Sequence, residues 1–153
     1  MIADPMTPPR FSLPGLRLGP LLLSVALAWT MPASAIDLSG ALSGDLYAGT
    51  YDIVGDINVP TGQTLHLHPG VVFRFEDSFW AEYEFEVYGT LIAAGSADQP
   101  VVFQPASGVP EYNYIRLTTS ASTLSHCIVA GAGSVSLSSQ GGLWSDDCSP
   151  LIE

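Results

Sequence analysis

The sequence contains no lysine, and four arginines stand against 15 aspartates and glutamates, giving a formal net charge of −11 at pH 7. A surface so poor in positive charge repels the phosphates of nucleic acids and anionic lipid headgroups, which argues against both as partners. Acidity of this degree suits a soluble extracytoplasmic protein. It serves solubility in the simplest interpretation, and it also attracts divalent cations.

Long apolar runs are scarce as well. The main apolar stretch, residues 18–29, is shorter than the roughly 18 to 20 residues that a membrane-spanning helix needs. Arg10 and Arg17 precede this stretch, and the small residues 33–35 follow it, as signal peptidase requires. We therefore predict a signal peptide over residues 1–35 and no membrane span in the mature chain.

The predicted mature domain comprises residues 36–153 and lies outside the cytoplasm, either secreted, at the cell surface or in the periplasm. An aspartate in the leader is unusual, and the sequence leaves open whether translation starts at Met1 or Met6. Cleavage removes one of the 15 acidic residues and two of the four arginines. The mature chain then carries 14 acidic residues against Arg74 and Arg116, a formal charge of −12.

Helical periodicity is absent from the predicted mature domain. From Ser39 onward, short β-type runs alternate with glycine, proline, asparagine and aspartate, which predicts an all-β fold. The clear runs are 57–59, 64–68, 71–76, 83–88, 90–93, 101–104, 114–117, 124–129 and 134–138.

Several of these runs alternate strictly between apolar and polar residues. Such strands bury one face and expose the other, and a slip of one residue would bury charge, so the register is well specified. The alternating pairs are Tyr83, Phe85 and Val87 against Glu82, Glu84 and Glu86; Leu65 and Leu67 against His66 and His68; and Phe73 and Phe75 against Arg74 and Glu76.

Loose self-similarity links distant segments. Residues 69–73 (PGVVF) are echoed by 100–103 (PVVF), about 30 residues later, and 122–124 (STL) by 149–151 (SPL), about 27 later. A period between about 20 and 30 residues is typical of a solenoid, in which each turn covers the apolar side chains of the next. An antiparallel sandwich is the competing interpretation, but Asn-Gly and Asp-Gly hairpin turns are absent.

Residues 57–76 (INVPTGQTLHLHPGVVFRFE) and 89–104 (GTLIAAGSADQPVVFQ) resemble the N-terminal coils of right-handed parallel β-helix proteins, the pectin-lyase-like architecture. Residues 124–129, 142–143 and 149–153 also resemble its repeats, so the resemblance covers about residues 50–153. It implies three faces around a dry core, with about four to five coils of roughly 22 to 30 residues in this chain. It also implies further coils beyond Glu153, so that the sequence is C-terminally truncated.

Register bears on the only two cysteines, Cys127 and Cys148, which an oxidising compartment would allow to pair. If Leu124 stacks near Leu151, Cys127 falls past the end of the chain and Cys148 lies over Ala121. The two would not face each other, and cysteines whose Cα atoms are more than about 7 Å apart cannot be bridged. Cys127 is therefore expected to pack as a small apolar residue, although the sequence leaves the pairing open.

Two sets of side chains are candidate metal ligands. His66 and His68 lie on one strand face about 7 Å apart, but no third ligand is near in sequence. Glu82, Glu84 and Glu86 form an acidic row that could bind Ca²⁺ if stacked neighbours complete the site, as in the calcium-dependent polysaccharide lyases of this architecture. The alternative for both is a solvated polar face that prevents aggregation. No other cofactor is predicted.

Aromatic side chains suggest a carbohydrate surface. Phe79 and Trp80 interrupt a coil and, with Tyr83, Tyr112 and Tyr114, predict aromatic surface near one rim. Aromatic rings stack on sugars, so Phe79 and Trp80 are candidate glycan-stacking residues. The alternative is local packing over a neighbouring coil.

Signatures of catalysis are not visible. Related lyases use an arginine or lysine base and related hydrolases use clustered aspartates, whereas this chain offers only Arg74, Arg116 and the pair Asp146-Asp147. Arg74 is expected to pair with Glu76 or with a carboxylate on the next coil. We predict a non-catalytic spacer or recognition surface for polysaccharide or cell-envelope partners. The alternative is the N-terminal part of a carbohydrate-active enzyme with its active site beyond Glu153.

Overall fold

The computed structural model describes residues 34–76, 83–133, 142–146 and 148–153. Their regular structure consists of β-strands, separated by turns and short connections. In chain order the strands are β1 (Ile36–Ala41), β2 (Gly44–Leu46), β3 (Gly49–Val59), β4 (Thr64–Leu67), β5 (Val71–Phe75), β6 (Phe85–Val87), β7 (Thr90–Ala94), β8 (Val101–Pro105), β9 (Ile115–Leu117), β10 (Thr123–Ser125), β11 (Cys127–Val129), β12 (Leu143–Ser145) and β13 (Leu151–Ile152).

The strands form three parallel stacks. The first stack runs β3-β5-β8-β11, the second β3-β6-β9-β12 and the third β2-β4-β7-β10-β13. β3 belongs to two stacks, because its residues 49–53 pair with β5 and its residues 57–59 pair with β6. Every pairing between the described strands is parallel, so the chain winds as a β-solenoid and the predicted fold class is confirmed. The predicted right-handedness stays a prediction.

The number of complete coils was overestimated. About three turns are complete, because every fully packed core residue lies between Tyr51 and Leu124. The flanking strands β1, β2 and β11 to β13 contain no fully buried side chain, since among the described residues each has a neighbouring coil on one side only. The predicted signal peptide falls almost wholly, and the predicted strand 134–138 entirely, outside the described residues.

The pairing register of the stacked strands confirms the alignment predicted from one pair of similar segments and contradicts the alignment predicted from the other. Val72 pairs with Val102, and Phe73 with Phe103, as the thirty-residue echo predicts. Thr123, however, pairs with Leu151, one residue away from the register that residue similarity suggests. Residue type alone does not reveal the length of a corner between strands. The predicted strand 124–129 is also divided, at His126, whose backbone φ is 49°.

The core consists of inward side chains stacked from coil to coil, with Phe73 near its centre. Its ring centroid lies 6.0 Å from Tyr51, 6.1 Å from Phe85 and 5.6 Å from Phe103. The predicted alternation is confirmed in β6, where Phe85 and Val87 are buried while the side chain of Glu86 faces outward. A packed interior of this kind holds the outward side chains at fixed spacing.

The expectation that Tyr112 contributes to an aromatic surface near one rim is wrong. Tyr112 is completely buried and stacks on Phe75, with ring centroids 4.0 Å apart and an interplanar angle of 6°. Its hydroxyl has no hydrogen-bond partner among the residues that the structure describes. A buried polar group without a partner costs roughly 1 to 3 kcal/mol, so this hydroxyl is a local weakness of the core.

Tyr112→Phe is therefore expected to raise the free energy of unfolding by about 1 kcal/mol at pH 7. Burial also raises the pKa of Tyr112 above its ordinary value. Above pH ~10 the unfolded chain loses this proton while the folded chain keeps it, so stability falls as the pH rises, and the variant should fall less steeply. Urea unfolding at pH 7 and pH 10.5 measures both effects.

Tyr47→Phe is the matched control, because Tyr47 is 64% exposed and its hydroxyl is not confined to the core. It should leave stability unchanged at pH 7. A Tyr112→Phe protein less stable than the parent at pH 7 would show that the buried hydroxyl makes a favourable contact.

Candidate functional site

The outward side chains of β6, β9 and β12 form a regular grid on the second stack. Register places Glu86 opposite Arg116, and Arg116 opposite Trp144. Neighbouring coils are about 4.8 Å apart, and successive outward residues of a strand about 7 Å apart, so the grid covers about 10 by 13 Å. Its three rows are Glu84, Glu86 and Tyr88; Tyr114, Arg116 and Thr118; and Trp144 with Asp146.

Arg116 occupies the centre of this grid. Its guanidinium carbon lies 5.8 Å from the ring centroid of Tyr88 and 5.7 Å from that of Trp144, both within the range of cation–π attraction. Its Nη2 donates to Glu86 Oε1 at 2.9 Å. We call Tyr88, Tyr114 and Trp144, gathered around Arg116, the aromatic platform.

Glu86 fixes the positions of the Arg116 and Tyr88 side chains. One carboxylate oxygen accepts from Arg116, and the other accepts a hydrogen bond from the hydroxyl of Tyr88. This hydrogen bond is the main reason that the pKa of Tyr88 is raised. Tyr88 is nevertheless 38% exposed as a residue, so it is available for contact.

Tyr114 and Trp144 meet edge to face, with centroids 6.2 Å apart and an interplanar angle of 85°. Partial burial and then a hydrogen bond to Glu84 raise the pKa of Tyr114, which keeps its hydroxyl protonated. The amide of Asn113 approaches the same Glu84 carboxylate at 3.5 Å. The rings therefore present two orientations to a ligand within one small area.

Backbone pairing holds the platform rigidly. Tyr114 O accepts from Phe85 N–H, and Gly142 O from Ile115 N–H, each at 2.9 Å. Gly142 is required beside Trp144, because an added Cβ would lie 2.4 Å from Ala132 Cβ. A preorganised surface loses little conformational entropy when it binds.

The platform combines three chemistries that suit sugars. Half-exposed rings stack against the C–H faces of pyranoses, while the guanidinium donates and the carboxylates accept hydrogen bonds from hydroxyls. Among the described residues the Nε of Arg116 is buried and has no hydrogen-bond partner, so it is not accessible to a ligand.

The candidate histidines lie elsewhere, on the third stack. His68 Nε2 lies 2.8 Å from Asp45 Oδ1, and its ring stacks on Tyr47 with centroids 4.5 Å apart. His66 lies opposite Ile92, and the coil before it contributes Asp45 at that register position. Both neighbours of His68 come from the preceding coil, as stacking dictates. Metal binding by His66 and His68 stays a prediction.

The two described members of the acidic row have different neighbours on the stacked coils. Glu86 lies between Asn58 and Arg116, while the backbone N–H of Glu84 donates to Asp56 at 3.3 Å. Glu82 falls outside the described residues. Within the part of the chain that the structure describes, no three histidine, cysteine, aspartate or glutamate side chains are grouped for a metal ion. Calcium binding at this row stays a prediction.

The ion pair of Arg74 differs from the expected one. Arg74 binds Asp52 through two hydrogen bonds, from Nε at 2.7 Å and from Nη2 at 2.8 Å. Asp52 lies directly opposite on the preceding coil, whereas Gln104 occupies the equivalent position on the next coil. The actual partner is therefore neither Glu76 nor a carboxylate on the next coil.

Both cysteines are free thiols. Burial raises the pKa of Cys127 to about 11, which keeps its sulfur protonated and unreactive. The thiol of Cys148 lies 3.1 Å from Leu117 O, a backbone acceptor on β9.

Sequence reasoning missed Tyr88 and Trp144 as site residues. The spacing from Glu86 to Arg116 to Trp144 follows the coil period and could have placed all three opposite one another on successive coils. The candidates that were named, Phe79 and Trp80, lie outside the described residues, as does Asp147. Their glycan-stacking role stays a prediction.

No protein-family model, no curated protein and no solved structure matches the chain. Among the described residues, no helix has the length and apolar character needed to cross a membrane.

Proposed function

We propose that this chain is an exported, non-catalytic recognition module that binds polysaccharide through the aromatic platform. The observation that carries the proposal is the placement of Tyr88, Tyr114 and Trp144 around Arg116 on one flat outer face. The residues that resemble pectin-lyase-like proteins support it, because that architecture works on extended polysaccharides. The leader-like composition of residues 1–35 supports export.

Ion pairing supports recognition over catalysis. The two arginines of the predicted mature domain each bind a carboxylate, Arg74 that of Asp52 and Arg116 that of Glu86. Each guanidinium is held in place by its carboxylate partner and is engaged in a structural contact. Both groups are better suited to positioning side chains and donating hydrogen bonds.

Trp144→Ala and Tyr88→Ala are each expected to weaken polysaccharide binding about five- to tenfold, because each removes one stacking surface. Affinity electrophoresis through gels that contain soluble glucans, mannans, xylans or galactans identifies a ligand, and isothermal titration then gives the dissociation constants. Circular dichroism verifies that each variant remains folded.

Tyr47→Ala provides the control, since Tyr47 is an exposed ring on the third stack. It should bind as the parent does. Equal losses in all three variants, or none in the platform variants, would contradict the assignment of binding to this face.

A further inference from the structure

We infer that the aromatic platform selects uncharged glycans and rejects polyuronates. This inference rests on the proposed function and adds the ligand class. It follows from where positive charge is placed on the solenoid and from what already neutralises it.

Arg116 is the one guanidinium of the platform, and its charge is already compensated. Glu86 Oε1 holds Nη2 at 2.9 Å, with side chains only 23% and 17% exposed. A uronate carboxylate would have to displace Glu86 from this geometry to form the paired contact that arginine makes with carboxylates. An uncharged sugar has no need to do so.

The rest of the grid is acidic. Glu84 and Asp146 lie at the edges of the platform, and Asp56 accepts from the backbone of Glu84 on the adjoining coil. The other guanidinium of the described residues, that of Arg74, lies on the first stack. Its Nε and Nη2 both donate to Asp52. A polyanion approaching the platform therefore meets uncompensated negative charge, which repels it most strongly at low ionic strength.

The faces of the aromatic rings also disfavour anionic ligands. The ring face carries the negative part of the quadrupole, so it attracts cations and C–H groups and repels anions. The faces of Tyr88 and Trp144 are already directed at a cation, the Arg116 guanidinium. Their remaining exposed surface suits the C–H faces of neutral sugars.

Two matched pairs of polymers test the inference on the full chain. One pair is methyl-esterified polygalacturonate and its de-esterified form, and the other is a soluble β-glucan and its carboxymethylated form. The neutral member of at least one pair is expected to bind at least tenfold more tightly than the acidic member in 20 mM salt. The difference should shrink in 500 mM salt, because screening removes the repulsion.

Two variants separate local pairing from overall charge. Glu86→Gln removes the internal partner of Arg116 and should move the preference at least tenfold toward the acidic polymer. Asp56→Asn removes the same single charge without releasing Arg116, and should change the ratio no more than about twofold. Equal shifts in the two variants would overturn the role of Glu86 in selection.

The outcomes distinguish the inference from the proposed function. Equal or tighter binding of an acidic polymer by the parent chain would overturn the inference while leaving polysaccharide binding intact. No binding to any of these polymers or to the neutral panel would refute the proposed function and the inference together.

Discussion

Phe73→Ala is expected to lower the free energy of unfolding by about 3 to 5 kcal/mol, the usual range for a fully buried phenylalanine. Phe73 is completely buried and contacts aromatic rings of its own and both adjacent coils, Tyr51, Phe85 and Phe103. In a solenoid each coil is stabilised by its neighbours, so a cavity in the central coil weakens both interfaces. Urea unfolding followed by circular dichroism measures the loss.

Val72→Ala is the matched control, because Val72 precedes Phe73 in β5 and points outward. We expect it to cost less than about 1 kcal/mol. If Phe73→Ala does not fold, Phe73→Leu gives an intermediate loss that can still be measured. A loss for Phe73→Ala no larger than that for Val72→Ala would mean that the stacked rings do not form the core.

Gly89→Ala is expected to cost about 3 kcal/mol or more, through steric overlap rather than a cavity. A Cβ at this position would lie 2.3 Å from both Gln63 O and Pro60 O, the carbonyls of the corner below. The backbone there is also fixed, since Gly89 N–H donates to Val59 O at 2.9 Å. The coils would have to separate to admit one methyl group.

Gly49→Ala distinguishes this overlap from a general effect of replacing glycine. The nearest atoms to an added Cβ at Gly49 are 3.7 Å and 3.8 Å away, an ordinary contact distance. Because alanine loses less backbone entropy on folding, the variant should be as stable as the parent or slightly more so. Thermal unfolding of the two variants side by side gives the comparison, and similar midpoints would refute the close approach at Gly89.

The fold was predictable because burial of every second residue in a strand leaves a two-residue alternation of apolar and polar residues in the sequence. The runs around Leu65, Phe73 and Phe85 each expose one face and bury the other, and their apolar sides do form the core. β1 and β2 escaped prediction; they belong to an outer coil without fully buried side chains, and β2 is only three residues long.

The platform was harder to predict, because its residues meet across coils. Arg74 and Asp52 are neighbours only because 22 residues separate equivalent positions there, whereas 30 separate Glu86 from Arg116. Corner lengths set these spacings, and corners leave little trace in residue type. The partners of the candidate metal ligands come from stacked strands, and the sequence does not reveal which residues those are.

The connections between the first and second stacks differ in length from coil to coil. In the first complete coil β3 simply continues through residues 54–56, while later coils use the segments 76–84, 106–114 and 130–142. Glu84 and Tyr114 are the last residues of two of these segments, so all of them end beside the platform. Changes in the length or composition of these segments alter the border of the platform while leaving the buried ladders intact. This architecture thereby allows specificity to diverge in evolution without a redesign of the interior.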